Sequence, residues 1–129
     1  MRVFAIDHGT ARVGCAVSDP TEALVRPLHV VEPPDPEAVA AVAREHGAEL
    51  VVVGMPVSLD GSEGEQARLA GEFRDRLAEI LRVPVETYDE RLTTRMAEAT
   101  ARAGAAAPPD ALAAAHLLEA YLESRSERP

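Results

Sequence analysis

The residues that decide the fold are Val3-Phe4-Ala5-Ile6-Asp7-His8-Gly9-Thr10, which lead into Val13-Gly14-Cys15-Ala16-Val17-Ser18. Both halves are short apolar runs, and the glycine-containing segment between them predicts a hairpin of two strands. The first run ends on Asp7, and a carboxylate at the end of a buried strand is costly unless a positive group meets it. Asp7 is therefore the first candidate functional residue, although an aspartate before a glycine turn also commonly bonds turn amides.

The rest of the chain alternates between helical and extended patterns. Beyond the hairpin, the apolar spacing and the Gly and Pro punctuation predict an α/β fold in the order βββαβαβαα, with a mixed sheet flanked by helices. Strands are predicted at 2–6, 13–18, 24–31, 50–53 and 83–88, and helices at 37–46, 93–103 and 110–123. A further helix is predicted to begin near the capping-box spacing at 62–65 and to carry an apolar stripe from Leu69 to Leu81. Residues 1–123 are predicted to form a single domain, followed by a polar tail at 124–129.

The composition limits the classes of function. The net charge is −9, all 13 basic residues are arginine and only 3% of residues are aromatic, which argues against a general polyanion binder and against a base-stacking platform. A few well-placed arginines can still bind phosphates through bidentate hydrogen bonds. The single cysteine, Cys15, lies in an apolar strand, so a cytoplasmic location is expected, and no apolar window of membrane-spanning length is present.

Acidic residues recur where the predicted strands end. Asp7 closes the first strand, Asp89 and Glu90 close the last one, and Asp110 opens the final helix. Ligands of open α/β sheets bind at the carboxyl ends of the strands, so these carboxylates are candidates for one site. Carboxylates gathered in one place repel each other unless a cation joins them, and hard oxygen ligands favour Mg²⁺ or Mn²⁺ over zinc. Two such ions can promote phosphodiester cleavage.

The pattern leaves alternatives open for individual residues. Asp110 follows two prolines and can serve simply as a helix N-cap. Asp89 and Glu90 point to opposite faces if the strand persists through them, and the sequence does not decide which of the two faces the site. Among candidate nucleic-acid contacts, Arg91 and Arg95 can bind phosphate or pair with neighbouring acids, and pairing is the default for a surface arginine.

The first hairpin offers two further candidates for phosphate binding. Arg12 neighbours Asp7 across the predicted turn, which makes it a better phosphate ligand than the arginines near the last strand. Thr10 can offer its hydroxyl and amide to a phosphate, or it can cap the turn.

These motifs resemble those of the YqgF/RuvX family, bacterial nucleases related to Holliday junction resolvases. The resemblance runs in order through nearly the whole chain and rests on these stretches: Ala5-Ile6-Asp7-His8-Gly9-Thr10, Val13 to Ser18, Val52-Val53-Gly54-Met55-Pro56 with Asp60-Gly61, Tyr88-Asp89-Glu90-Arg91-Leu92-Thr93-Thr94, and Asp110 with Ala113-Ala114-Ala115 and Leu117-Leu118. The Asp-Glu-Arg-Leu-Thr-Thr block is the most specific of them. Asp-x-Gly-Thr alone is weak, because actin-like ATPases share it.

The resemblance implies an RNase H-like fold and a hydrolase that uses divalent metal to cut phosphodiester bonds. It further implies processing of the 5′ end of pre-16S rRNA in ribosome biogenesis, with Holliday-junction resolution of branched DNA as the alternative. The family's acidic positions correspond to Asp7, the Asp89-Glu90 pair and Asp110. A lysine that the family often carries after its glycine-threonine turn is absent, and Ala11 and Arg12 stand there instead.

Two other classes of function compete with the nuclease. A non-catalytic nucleic-acid or ribosome-assembly module would keep the fold, and the acidic charge balance is compatible with it. An actin-like nucleotide-binding protein needs two related domains, for which 129 residues with one Asp-x-Gly-Thr copy are too few. The sequence does not separate a monomer from a homodimer, although a two-fold dimer would suit symmetric cleavage of a four-way junction.

Overall fold

A computed structural model describes residues 1–55, 64–89 and 107–126 of the chain. These residues form five strands and three helices. The strands are β1 (Val3–His8), β2 (Val13–Ser18), β3 (Val25–Val31), β4 (Leu50–Met55) and β5 (Val85–Asp89), and the helices are α1 (Pro36–Glu45), α2 (Glu65–Ile80) and α3 (Pro109–Ser126).

The five strands form one mixed sheet in the order β3-β2-β1-β4-β5. The first three strands are antiparallel neighbours, as a hairpin followed by a return strand requires. β4 pairs parallel with β1, and β5 pairs parallel with β4. The carboxyl ends of β1, β4 and β5 therefore lie at the same edge of the sheet, which is the edge where an open α/β sheet collects its ligands.

Each face of the sheet buries its own apolar cluster. Phe4 and Ile6 of β1 pack on the side of α1 and α2, together with Phe73 and Leu77 of α2. Val3 and Ala5 of the same strand point to the other side, because successive side chains of a strand alternate. α3 covers that second side with small and apolar residues: Ala114, Ala115, Leu117, Leu118 and Tyr121.

α3 runs three residues beyond the predicted end of the last helix. It continues to Ser126, so the first part of the predicted polar tail is helical. The Arg125 guanidinium donates to Glu22 at 3.1 Å and lies 5.7 Å from the Tyr121 ring, which anchors the last turn. Neither α3 nor any other helix in the described part of the chain is long and apolar enough to cross a membrane.

Several boundaries differ from the sequence prediction. β1 continues through Asp7 to His8, because both residues pair with β2. α2 begins at Glu65 with Gly64 at its N-cap, a residue that has no side chain to bond the first turn, and Ser62 of the predicted capping box lies outside the described residues. On α3 the predicted apolar face is right for Ala114 and Leu117, whereas Ala113 is partly exposed. The predicted helix at 93–103 lies outside the described residues.

Candidate active site

Asp7 lies in the middle of the sheet, in a cross-strand row that it shares with two glycines. It pairs with Gly14 of β2 on one side and with Gly54 of β4 on the other, and Gly54 pairs in turn with Tyr88 of β5. Asp7 points to the same face as Val3 and Ala5, because every second residue of a strand does so, and its side chain therefore lies on the α3 face of the sheet. Neither of its two strand partners carries a side chain in this row.

The start of α3 lies directly against Gly14. A Cβ at this position would lie 2.0 Å from the carbonyl oxygen of Asp110 and 2.3 Å from its carbonyl carbon, distances that no side chain tolerates. The first turn of α3 therefore rests directly on the backbone of β2. Because Gly14 is the partner of Asp7 in the sheet, Asp7 and Asp110 come to adjoining positions around one glycine.

Arg12 lies at the rim of this site. Its Nε is 3.7 Å from Asp110 Oδ2 and 3.9 Å from Glu32 Oε2, and the arginine side chain is half exposed. Ion pairs this exposed contribute little to folding stability, so the guanidinium can exchange one partner for another at low cost. Arg12 thus supplies a positive charge next to Asp110.

Asp89 occupies the last position of β5, opposite Met55 of β4. It points to the same face as Val85, which packs in the cluster under α1 and α2. The β5 register thus assigns Asp89 to the face opposite Asp7, while Glu86 and Tyr88 lie on the α3 face. Three predicted site residues, Glu90, Arg91 and Arg95, lie outside the described residues.

His8 and Thr10 line a separate groove on the other face of the sheet. The His8 ring lies 4.8 Å from the Phe73 ring of α2, and a groove of about 370 Å³ is lined by these rings, by Thr10 and by Pro34. The turn itself is closed by the Gly9 amide, which donates to the Arg12 carbonyl at 2.9 Å. Thr10 is exposed on this turn, where its hydroxyl is open to a ligand.

Burial lowers the pKa of His8 below its ordinary value of 6.5, and the adjacent Asp7 carboxylate offsets only part of that effect. His8 is therefore neutral at pH 7. Since the unfolded chain binds this proton more readily, the His8 contribution to stability is complete above about pH 6.5 and is lost as the pH falls towards the lower, folded-state pKa.

We expect His8→Gln to flatten the loss of stability between pH 7.5 and 5. The measurement is the free energy of unfolding from urea titrations at several pH values, taken as the difference between wild type and variant. His29→Gln, at an exposed histidine on β3, is the matched control for exchanging an imidazole for an amide. A wild-type minus His8→Gln difference that does not vary with pH would contradict the prediction.

The donor set at this edge suits a hard cation. Within residues 1–55, 64–89 and 107–126 no three His, Cys, Asp or Glu side chains are grouped closely enough to hold a metal ion. Asp7 and Asp110 are the two described carboxylates that share the α3 face around Gly14, and both are oxygen donors of the kind that Mg²⁺ and Mn²⁺ prefer. They fit a divalent ion with at least one further ligand.

Gly14 and Gly54 also belong to this site. The sequence predicts no role there for Gly14, and for Gly54 it predicts only that the residue helps to shape a loop at this end of the sheet. Both stand in otherwise apolar strands, and a glycine inside a strand often marks a close backbone approach. That signal is present in the sequence. The backbone that each glycine contacts depends on the strand register and on the position of α3. Neither can be deduced from the local sequence around the glycine.

The fold of the described chain matches that of known resolvases. The protein is similar to the structure of Thermus thermophilus RuvC in complex with a Holliday junction substrate, with a TM-score of 0.68 and 22% identity over 98% of this chain and 97% of that one. It is also similar to the fowlpox virus Holliday junction resolvase, with a TM-score of 0.60 and 11% identity over 96% and 99% of the two chains. At such identities the likeness establishes the fold class, which is RNase H-like as predicted.

The sequence identifies the family. A family model described as RuvX, Holliday junction resolvase, matches residues 1–124, and the chain belongs to this family. A relative from Anaeromyxobacter sp. (strain K) is 41% identical over 98% of this chain and 99% of its own length. One from Chloroflexus aurantiacus (strain ATCC 29366 / DSM 635 / J-10-fl) is 37% identical over 98% and 90%. Both carry the provisional name pre-16S rRNA nuclease.

Proposed function

We propose that this protein is a divalent-metal-dependent nuclease that hydrolyses phosphodiester bonds in structured nucleic acid, with the 5′ end of pre-16S rRNA as its substrate. The observation that carries the proposal is the meeting of β1 and α3 around Gly14, because it brings Asp7 and Asp110 to adjoining positions at the ligand-binding edge of the sheet. Family membership and the names of the relatives support the same chemistry.

Asp7 and Asp110 would hold the metal, with Glu90 as the third carboxylate. Bound there, one or two Mg²⁺ or Mn²⁺ ions would activate a water molecule and stabilise the leaving oxygen of the phosphodiester. Gly54 adds no side chain beside Asp7, and Gly14 lets the backbone of Asp110 lie against β2. His8 is directed to the opposite face of the sheet, towards Phe73, and is not a ligand in this assignment.

Glu90 is preferred to Asp89 as the third ligand on the grounds of strand parity. Asp89 points to the same face as Val85, which is the side of α1 and α2. In the sequence Glu90 is two residues from Tyr88 and four from Glu86, the spacing of residues that share a face of a strand. Tyr88 packs against the α3 cluster. A carboxylate of that parity would face the same side as Asp7.

Arg12 would contact the substrate phosphate from the rim of the site. Its two exposed carboxylate partners, at 3.7 and 3.9 Å, would be exchanged for a phosphate oxygen, which forms a stronger charge-assisted bond. Thr10, which is exposed on the turn before Arg12, would contact the nucleic acid with its hydroxyl group. Arg91 and Arg95 would bind further phosphates of the nucleic-acid strand. A short set of positioned arginines accommodates a nucleic acid on a protein whose net charge is −9.

Processing of pre-rRNA and resolution of a DNA junction would use the same chemistry and differ in their substrate. The names of the relatives favour ribosomal RNA, whereas the family description and the structure of Thermus thermophilus RuvC with its junction favour branched DNA. Processing of pre-rRNA would take place in the cytoplasm. Either a monomer or a homodimer is compatible with RNA processing, while symmetric resolution of a junction favours a dimer.

The deciding experiment is a cleavage assay on a pre-16S leader RNA and a synthetic four-way DNA junction, run side by side. We expect Mg²⁺- or Mn²⁺-dependent cleavage of the leader RNA, abolished by a chelator and restored by excess metal. Preferential cleavage of the junction would make the protein a resolvase instead. Binding of either nucleic acid without metal-dependent cleavage would overturn the nuclease proposal and favour an assembly module.

A further inference from the structure

We propose that Gly14 is the positioning residue of this active site: its missing side chain lets the first turn of α3 rest on β2, and this contact holds the Asp110 carboxylate beside Asp7. The inference rests on the proposed metal-dependent function and adds to it a residue that is not an acid, touches neither metal nor substrate, and still determines the geometry of the ligands.

The contact leaves no room for any other residue. The oxygen at 2.0 Å and the carbon at 2.3 Å from an ideal Cβ belong to the Asp110 backbone, and the Ala111 amide nitrogen lies at 3.0 Å. Ordinary van der Waals contact begins at 3.4 Å, so even a methyl group would force the helix start and the strand apart. Backbone atoms on both sides cannot swing away as a flexible side chain can.

The displacement would act on Asp110 before it acts on the rest of α3. Further along the helix, Ala114 and Leu118 are fully buried against Ala5 and Ala16 of the sheet and would hold the middle of α3 in place. A methyl group at position 14 would therefore lift the N-terminal turn away from Asp7. Catalytic geometry is sensitive to such changes, because a misplacement of about 1 Å can lower the rate ~10²-fold.

The strand supplies a matched control for this effect. Ala16 lies two residues from Gly14 on the same face of β2 and is fully buried in the cluster beneath α3. Ala16→Val overfills that interface away from Asp110 and costs stability through overpacking alone. Gly71→Ala serves as the second control, since Gly71 lies within α2 and an added Cβ there would meet nothing within 4 Å.

The test compares Gly14→Ala, Ala16→Val and Gly71→Ala with the wild type in three measurements. These are the free energy of unfolding, Mn²⁺ affinity by calorimetry, and hydrogen exchange of the backbone amides at residues 110–113. We expect Gly14→Ala to weaken Mn²⁺ binding at least tenfold and to accelerate exchange in the first turn of α3. Ala16→Val should lose stability but keep the Mn²⁺ affinity within about threefold, and Gly71→Ala should be slightly more stable than the wild type.

Each outcome bears on the proposal separately from the proposed function. Wild-type Mn²⁺ affinity and exchange in Gly14→Ala would overturn it, and so would equal losses of affinity in Gly14→Ala and Ala16→Val. If the wild type itself binds no Mn²⁺, the metal-dependent function fails, while the exchange data still test whether Gly14 seats the helix. Should Gly14→Ala not fold in buffer, all variants are compared in trimethylamine N-oxide, which favours the folded state.

Discussion

Replacing Asp7 with Asn should abolish metal-dependent cleavage while leaving the fold intact. We expect the rate to fall by at least ~10³-fold, because the amide keeps the shape of the side chain but removes the negative charge that a divalent ion needs. The free energy of unfolding should change by less than about 1 kcal/mol, as the substitution alters no buried volume. The measurements are the cleavage rate at saturating substrate and the urea midpoint.

The position of Asp7 explains why the effect should be so large. Its pairing partners in the sheet, Gly14 and Gly54, carry no side chains that could take over as ligands. Asp110 lies beside Asp7 on the other side of Gly14. Without Asp7, the Asp110 carboxylate would supply only half of the negative charge that the pair offers to a metal ion. A metal site that loses its most central ligand generally loses the ion as well.

Asp75→Asn is the matched control for this substitution. Asp75 lies on α2 with its side chain 71% exposed, and its described ion pair is with the neighbouring Arg74. The control removes the same charge from the protein without touching the sheet edge, so it should cleave at the wild-type rate. Undiminished metal-dependent cleavage by Asp7→Asn would contradict the assignment of the active site, whatever its substrate.

The order and type of most elements follow from the sequence because each of the signals is local. Continuous β-branched runs such as the one at 51–53 are typical of a strand covered on both faces, and β4 is indeed buried between two parallel neighbours, β1 and β5. The apolar stripe of α2 likewise predicts its buried side, where Phe73 and Leu77 lie in the core. The resemblance to the family predicted the RNase H-like fold, and the family match and the structural comparison confirm it.

The arrangement of the candidate site could be predicted only in part, because it depends on register. That Asp7 and Asp110 would meet was a hypothesis from the carboxyl-end rule, and the structure brings them to adjoining positions through Gly14. The glycine's role is a tertiary effect: it depends on which backbone passes over β2. No period or propensity in the sequence reports that.

The choice between Asp89 and Glu90 illustrates the same limit. Strand alternation shows that the two residues face opposite ways, but it does not show which face of the sheet carries Asp7. The pairing of β5 with β4 and the cluster that contains Val85 supply the missing information, since they assign Asp89 to the side of α1 and α2. Because the register distinguishes Asp89 from Glu90, substitutions of the two residues are expected to affect cleavage differently.

Glu90→Gln should lower metal-dependent cleavage by at least ~10²-fold, whereas Asp89→Asn should retain it within about tenfold. The reason is that a carboxylate on the α3 face can join Asp7 and Asp110 around one ion, while a carboxylate on the other face is separated from them by the thickness of the sheet. The measurements are the cleavage rate and the Mn²⁺ affinity of each variant.

Glu86→Gln is the control that separates ligand loss from damage to the strand. Glu86 lies on the α3 face of β5, and its carboxylate accepts a hydrogen bond from the Tyr121 hydroxyl at 2.8 Å. A glutamine can accept the same bond, so this variant should fold and cleave like the wild type. Loss of cleavage in Asp89→Asn with full activity in Glu90→Gln would reverse the assignment. It would require β5 to end with its last carboxylate turned towards Asp7, because only then could Asp89 reach the ion that Asp7 and Asp110 share.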